Sequence, residues 1–300
     1  MSETNRQFKD RLFCFIFGRE ENKKWTLSLY NAINDSDFTN PDDIQIETIE
    51  GVLYMSMRDD IAFMIQDTLN LYEQQSSYNP NMPLRELMYL GKVYDKLIHR
   101  NNMNIYSEKL LILPAPRFIV FYNGTKEIED RVLRLSDSFP KVVREKSDVE
   151  ATVRMININH GQNKELMKKC KTLNEYSWFV STVREYSSSC DIDQAVDKAI
   201  NEMSEDAEIK LFLVGHRAEV KDMCLTEYDE KKHMEAVRAE GKEEGIEEGI
   251  EKINTLVIML LRDNRIDDLK KATEDATYRE ELFVAYGINE KENQKSIKES

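Results

Sequence analysis

Residues 59–76 bring together side chains suited to holding a divalent cation. The run reads Asp59-Asp60-Ile61-Ala62-Phe63-Met64-Ile65-Gln66-Asp67-Thr68-Leu69-Asn70-Leu71-Tyr72-Glu73-Gln74-Gln75-Ser76. An apolar stretch headed by acids meets a polar break, and a second apolar stretch closes on Glu-Gln-Gln. With a two-residue turn at Asp67-Thr68, Asp60 lies opposite Gln75 and Ala62 opposite Glu73. Moving the turn to Gln66-Asp67 keeps the same parity, whereas a three-residue loop recruits Asp59 instead. Strand side chains alternate with period two, and directly opposed residues share a face with Cβ atoms about 4.5–5.5 Å apart. Asp60, Glu73 and Gln75 therefore project together. Two neighbouring carboxylates repel, and one tends to keep its proton unless a cation neutralises the pair. A hard, oxygen-liganded ion such as Mg²⁺ or Mn²⁺ relieves that repulsion, binds phosphate and acidifies a bound water. The competing reading is a pair of solvated acids at strand ends.

The elements that must position these residues follow from periodicity. Amphipathic helices are predicted over 5–18, through Phe8, Leu12, Phe15 and Ile16, and over 22–34, through Trp25, Leu29, Tyr30 and Ile33. Loop chemistry separates them from strand-like pieces at 52–57, 61–66 and 69–75. Asn79-Pro80-Asn81-Met82-Pro83 introduces a helix over 84–98, with proline tolerated in its first turn. Further strands are predicted at 118–122, closed by Asn123-Gly124, and at 132–135 and 153–158; from 163 onward the pattern is helical. The order points to an α/β or α+β core with a helical appendix. Arg85, Tyr89 and Lys92 fall on one face of the helix that follows the acids. Arg85 reads either as a phosphate contact or as a solvated arginine above a tyrosine packed on the sheet. Lys9 and Arg58 add local positive charge. His160 beside Gly161 has no nucleophile nearby and reads as a turn residue.

A net charge of −14 and a pI of about 5.0 leave no global basic field. A nucleic-acid partner would need a local basic patch, or metal ions to screen its phosphates. The four cysteines and four histidines are scattered, with no Cys-x-x-Cys pair, so free thiols in a reducing cytosol are expected rather than a zinc site. The N-terminus has no apolar signal core, and the run 256–261 is too short to span a bilayer; a cytoplasmic protein is expected. Residues 234–300 hold 11 basic and 17 acidic residues. Within them Gly241, Gly245 and Gly249 recur every four residues, which keeps them roughly on one helical face. Each costs about 1 kcal/mol of helix propensity relative to alanine. This segment reads either as a solvated linker or as a self-association element, giving a homodimer or higher oligomer.

The spacing Asp60-(x12)-Glu73-x-Gln75, with the following Asn-Pro-Asn-Met-Pro-Leu-Arg, resembles the recombination-promoting nuclease (Rpn) group, often labelled PD-(D/E)XK nuclease family transposases. Phe8-Lys9 with Phe17-Gly18, Asn31-Ala32-Ile33, the Phe-Tyr-Asn-Gly ending at Gly124, Ile158-Asn159-His160-Gly161, Glu219-Val220, 225–228 and the glycine repeat are similar to it as well. The resemblance covers most of the chain. It implies a PD-(D/E)XK restriction-endonuclease-like mixed sheet flanked by helices over 1–185, a helical extension over 186–232 and an acidic glycine-repeat tail over 233–300. It implies a Mg²⁺- or Mn²⁺-dependent DNA endonuclease linked to recombination or mobile elements. Asp60 and Glu73 would be the metal-binding acids, with the Gln74 main-chain carbonyl completing the shell. Gln75 would stand where many related nucleases carry lysine. An amide brings no positive charge and can only position water or oxygen by hydrogen bonds. On spacing and charge, rather than on the resemblance, Arg85, Tyr89 and Lys9 are the candidates to face a substrate. Asn5 departs from the aspartate that usually opens the first helix of the group. The alternative is a catalytically weak or inactive interaction module that oligomerises through its tail.

Overall fold

The computed structural model describes residues 12–46 and 60–288, without the side chains at 60, 226–241, 243–244 and 247–248. The chain divides into two units, Met1–Tyr228 and Asp229–Ser300.

The first unit is built on a mixed sheet with six strands among the described residues: β1 (Ile44–Ile46), β2 (Asp60–Ile65), β3 (Thr68–Gln75), β4 (Ala115–Tyr122), β5 (Arg131–Arg134) and β6 (Thr152–Asn157). Their order across the sheet is β1-β2-β3-β4-β6-β5. β1, β2 and β3 form an antiparallel meander, β3, β4 and β6 run parallel, and β5 returns antiparallel to β6. The β2–β3 hairpin turns at Gln66-Asp67, since Ile65 pairs with Thr68. Gln66 takes the left-handed conformation, φ 52°, that such a tight reversal demands. Of the three turn placements open to the sequence, this one sets Asp60 directly opposite Glu73.

Parallel strands need a crossover, and α3 (Met82–Arg100) supplies it between β3 and β4. Pro83 sits in its first turn, so the helix starts ahead of the expected 84–98. Its buried stripe, Tyr89, Leu90, Val93 and Leu97, packs on Ala62, Leu69 and Leu71. The opposite face of the sheet rests on α1 (Leu12–Phe17), α2 (Lys23–Asn34) and α5 (Lys171–Tyr186), which follows the short α4 (Lys164–Lys169). There Phe63, Tyr72 and Phe121 form an edge-on row with centroids 5.0 and 5.4 Å apart, and Phe13 of α1 lies 4.9 Å from Phe121. Aromatic burial of this kind dominates core energetics. Because helices cover both faces, β3 is buried continuously from Leu69 to Gln75 instead of alternating.

The helices α6 (Ile192–Glu202), α7 (Lys210–Gly215) and the first part of α8 (Arg217–Arg262) belong to this same unit. Val196, Ile200, Leu213 and Val220 share one core cluster with Phe63 and Phe121. The second unit holds the rest of α8 with α9 (Ile266–Glu274) and α10 (Ala276–Ala285), around Leu256, Leu260, Leu282 and Phe283. Asn264, φ 59°, ends α8, and Asp275 caps α10 through the Thr277 and Tyr278 amides. No helix among the described residues is long and apolar enough to cross a membrane.

The predicted strands at 61–66, 69–75, 118–122, 132–135 and 153–158 all form, with ends shifted by up to three residues. β1 was not expected: three residues after a proline-aspartate loop carry too little periodicity, and only pairing with β2 makes them a strand. The strand expected at 52–57, the start of the first helix, Lys9 and Arg58 lie outside the described residues.

Candidate functional site

The acid pair is set by the β2–β3 ladder. Asp60 opens β2 opposite Glu73, near the end of β3; the Asp60 side chain lies outside the description. Glu73 and Gln75 share the face covered by α3, and both are buried. Gln75 Nε2 donates to Glu73 Oε1 at 2.8 Å and lies 2.9 Å from Met82 Sδ. Arg85, one turn into α3, brings Nη2 to 3.1 Å from the same Glu73 oxygen. Its Nη1 lies 3.4 Å from Met82 Sδ. The first turn of α3 thus closes over the acid, and the guanidinium offsets the cost of burying a carboxylate. A cation at Glu73 would compete for its charge with an arginine whose side chain is 36% exposed.

The other residues singled out by spacing fall in different places. Arg85 turns inward onto Glu73. Tyr89, although on the same stripe, is buried against Leu69 and Leu71 in the helix–sheet core. Lys92 is half-buried and engaged. Gln74 points through the opposite face of the sheet, where Nε2 donates to Asn123 Oδ1 at 2.5 Å. Any part it plays beside Glu73 is therefore through its main chain. Asn123 in turn donates from Nδ2 to the Tyr176 hydroxyl at 3.3 Å, and its carbonyl accepts from Arg184 Nη1. This relay joins β3, β4 and α5 across separations of 49 to 61 residues, and sequence spacing held no signal for it. Asn123-Gly124 read only as a strand-ending turn.

Among the described residues no group of three or more His, Cys, Asp or Glu side chains gathers for a metal. The ladder itself places Glu73 opposite the Asp60 main chain, with the Gln75 amide beside the glutamate. Carboxylates and main-chain carbonyls are the oxygen groups that Mg²⁺ or Mn²⁺ takes.

No family model, no curated protein and no solved structure matches the chain. The fold and site define a mixed α/β protein, a six-stranded mixed sheet flanked by helices. It carries a buried acid–amide pair near the end of a central strand, met by a partly exposed arginine.

Proposed function

We propose that this protein is a cytoplasmic, metal-dependent DNA endonuclease with a PD-(D/E)XK restriction-endonuclease-like core, of the recombination-promoting nuclease group. The observation that carries the reading is the direct pairing of Asp60 with Glu73, with Gln75 hydrogen-bonded to that glutamate. Asp60, Glu73 and the Gln74 carbonyl would hold Mg²⁺ or Mn²⁺. Such an ion supplies a water of lowered pKa and neutralises charge on a phosphoryl oxygen. Gln75, already aligned by Glu73 and Met82, orients water or a phosphate oxygen through its amide. Arg85 compensates the charge of Glu73; its planar fork would also suit a phosphate. The test is supercoiled plasmid incubated with purified protein and Mg²⁺ or Mn²⁺. Nicking that EDTA stops is expected.

The arginine makes a second prediction. A partly exposed ion pair is worth at most about 1 kcal/mol, or about fivefold in affinity. Arg85→Gln should therefore tighten Mn²⁺ binding by up to about fivefold in calorimetry while slowing nicking. Weaker Mn²⁺ binding in this variant would show that Arg85 does not compete for the site.

Two observations favour a second reading, a nuclease-like interaction module that self-associates. Glu73 is already satisfied by Arg85, and Ile246, Ile250 and Ile253 of α8 are exposed at three- and four-residue spacing. A folded protein that nicks no plasmid with either ion would select this reading.

A further inference from the structure

The parallel strands β4 and β6 end at Tyr122 and Asn157. In open sheets, ligands bind in the crevice beyond the carboxyl ends of such strands. A cavity of about 100 Å³ lies there, walled by the residues that follow β4 and β6 and by one face of α5. Its polar lining comes from three directions: Asn123 after β4, Asn159 and His160 after β6, and Ser177, Ser181 and Arg184 from α5. The α5 residues recur at intervals of four and three, so they share one helix face. No aspartate or glutamate lines the cavity, in a chain with 56 acids against 42 bases.

Two details mark it as built for a ligand. Ser177 is only 4% exposed, and its hydroxyl has no hydrogen-bond partner. Buried hydroxyls are ordinarily paired, so this one lacks an acceptor. Arg184 is held by a single bond from Nη1 to the Asn123 carbonyl, which leaves other N–H donors of its fork for an anion. Cavities of roughly 150 Å³ accommodate a molecule the size of benzene, so the space here suits a smaller group. Asn159 spends its amide hydrogens on Gly124 and Asn157, so the donors left for a ligand are Ser177, Ser181 and Arg184 of α5 with His160 after β6. Several separate donors suit a tetrahedral oxyanion better than a flat carboxylate, which one guanidinium fork already satisfies.

We propose that this cavity binds a phosphoryl group, carried either by the end of a nucleic-acid strand or by a free phosphate. The site lies on the opposite face of the sheet from Glu73, and its occupancy does not depend on the nuclease reading. Full-length protein is titrated calorimetrically with inorganic phosphate, and with one oligonucleotide bearing either a 5′-phosphate or a 5′-hydroxyl. Wild type should bind inorganic phosphate. Ser177→Ala should keep or raise the melting temperature, because it removes an unpaired hydroxyl, yet weaken phosphate by about tenfold or more, the loss of one hydrogen bond to a charged group. Arg184→Lys should weaken it further. If the 5′-phosphate adds affinity and Ser177→Ala removes that increment, the source is a strand end. If the two oligonucleotides bind alike while inorganic phosphate still binds at Ser177, the source is a free phosphate. No phosphate binding by wild type, or equal binding by folded Ser177→Ala, overturns the proposal.

Discussion

Asp60→Asn should lower metal-dependent plasmid nicking by more than about 100-fold while leaving the melting temperature within about 1 °C of wild type. The substitution keeps side-chain size and the backbone pairing with Glu73 but removes one of two negative charges. Changes to groups that merely support metal ligands already cost 10–100-fold in affinity or activity, so loss of a ligand itself should exceed that range. Asp60 is the first residue of its strand, and asparagine keeps its size there. Glu73→Gln tests the same pair from the other side. It should abolish nicking equally, and it strands the Arg85 guanidinium, which can swing to solvent because it is already partly exposed. Nicking by Asp60→Asn at the wild-type rate would mean that the ladder pair is not the metal centre, whatever else the protein cleaves.

Gly124→Ala should be among the most destabilising single-methyl additions available in the sheet-bearing unit, by about 3 kcal/mol, the upper part of the overpacking range. At roughly 2–4 °C per kcal/mol this lowers the transition of that unit by about 6–12 °C. A Cβ at position 124 would stand 2.2 Å from the Ser76 carbonyl oxygen and 2.4 Å from the Tyr122 hydroxyl. Neither neighbour yields easily. Ser76 is main chain directly after β3, and Tyr122 is buried with its hydroxyl donating to the Lys126 carbonyl and accepting from the Lys126 amide. The glycine is needed for close approach: it lets the chain leave β4 against the end of β3, next to Gln75. Gly91→Ala is the control. Nothing lies within 4 Å of a Cβ there, and alanine in a helix interior should add about 0.5–1 kcal/mol. A thermal melt followed by near-UV dichroism separates the two, and equal stability of Gly124→Ala and wild type would show that the chain leaves β4 by another path.

The hairpin shows what could be read early. The polar break at Gln66-Asp67 between two apolar stretches showed that Asp60, Glu73 and Gln75 share a face if the turn has two residues, because strand parity is a property of near neighbours. It left two two-residue turns and a three-residue loop open, and the left-handed Gln66 with its strand register decided among them. Arg85 and Tyr89 were placed correctly on one helix stripe, but their destinations depended on the sheet beneath. Tyr89 meets Leu69 and Leu71 and is buried, while Arg85 reaches the glutamate near the strand end. Gln74 illustrates the limit most clearly, since its partner Asn123 is 49 residues away.

By itself, then, the sequence determined, among the described residues, five of the six strands, the helices that hold residues 12–34 and 82–100, and a helical character after 163, together with the acids that could meet. These follow from periods of two and 3.6 residues and from local turn chemistry. Tertiary structure alone decided that β3 is buried on both faces, that Arg85 neutralises Glu73, and that α6, α7 and the start of α8 complete the core. It also decided that a carboxylate-free cavity opens beyond β4 and β6. Burial and pairing of charge are set by whatever distant chain packs alongside, and no local period encodes that.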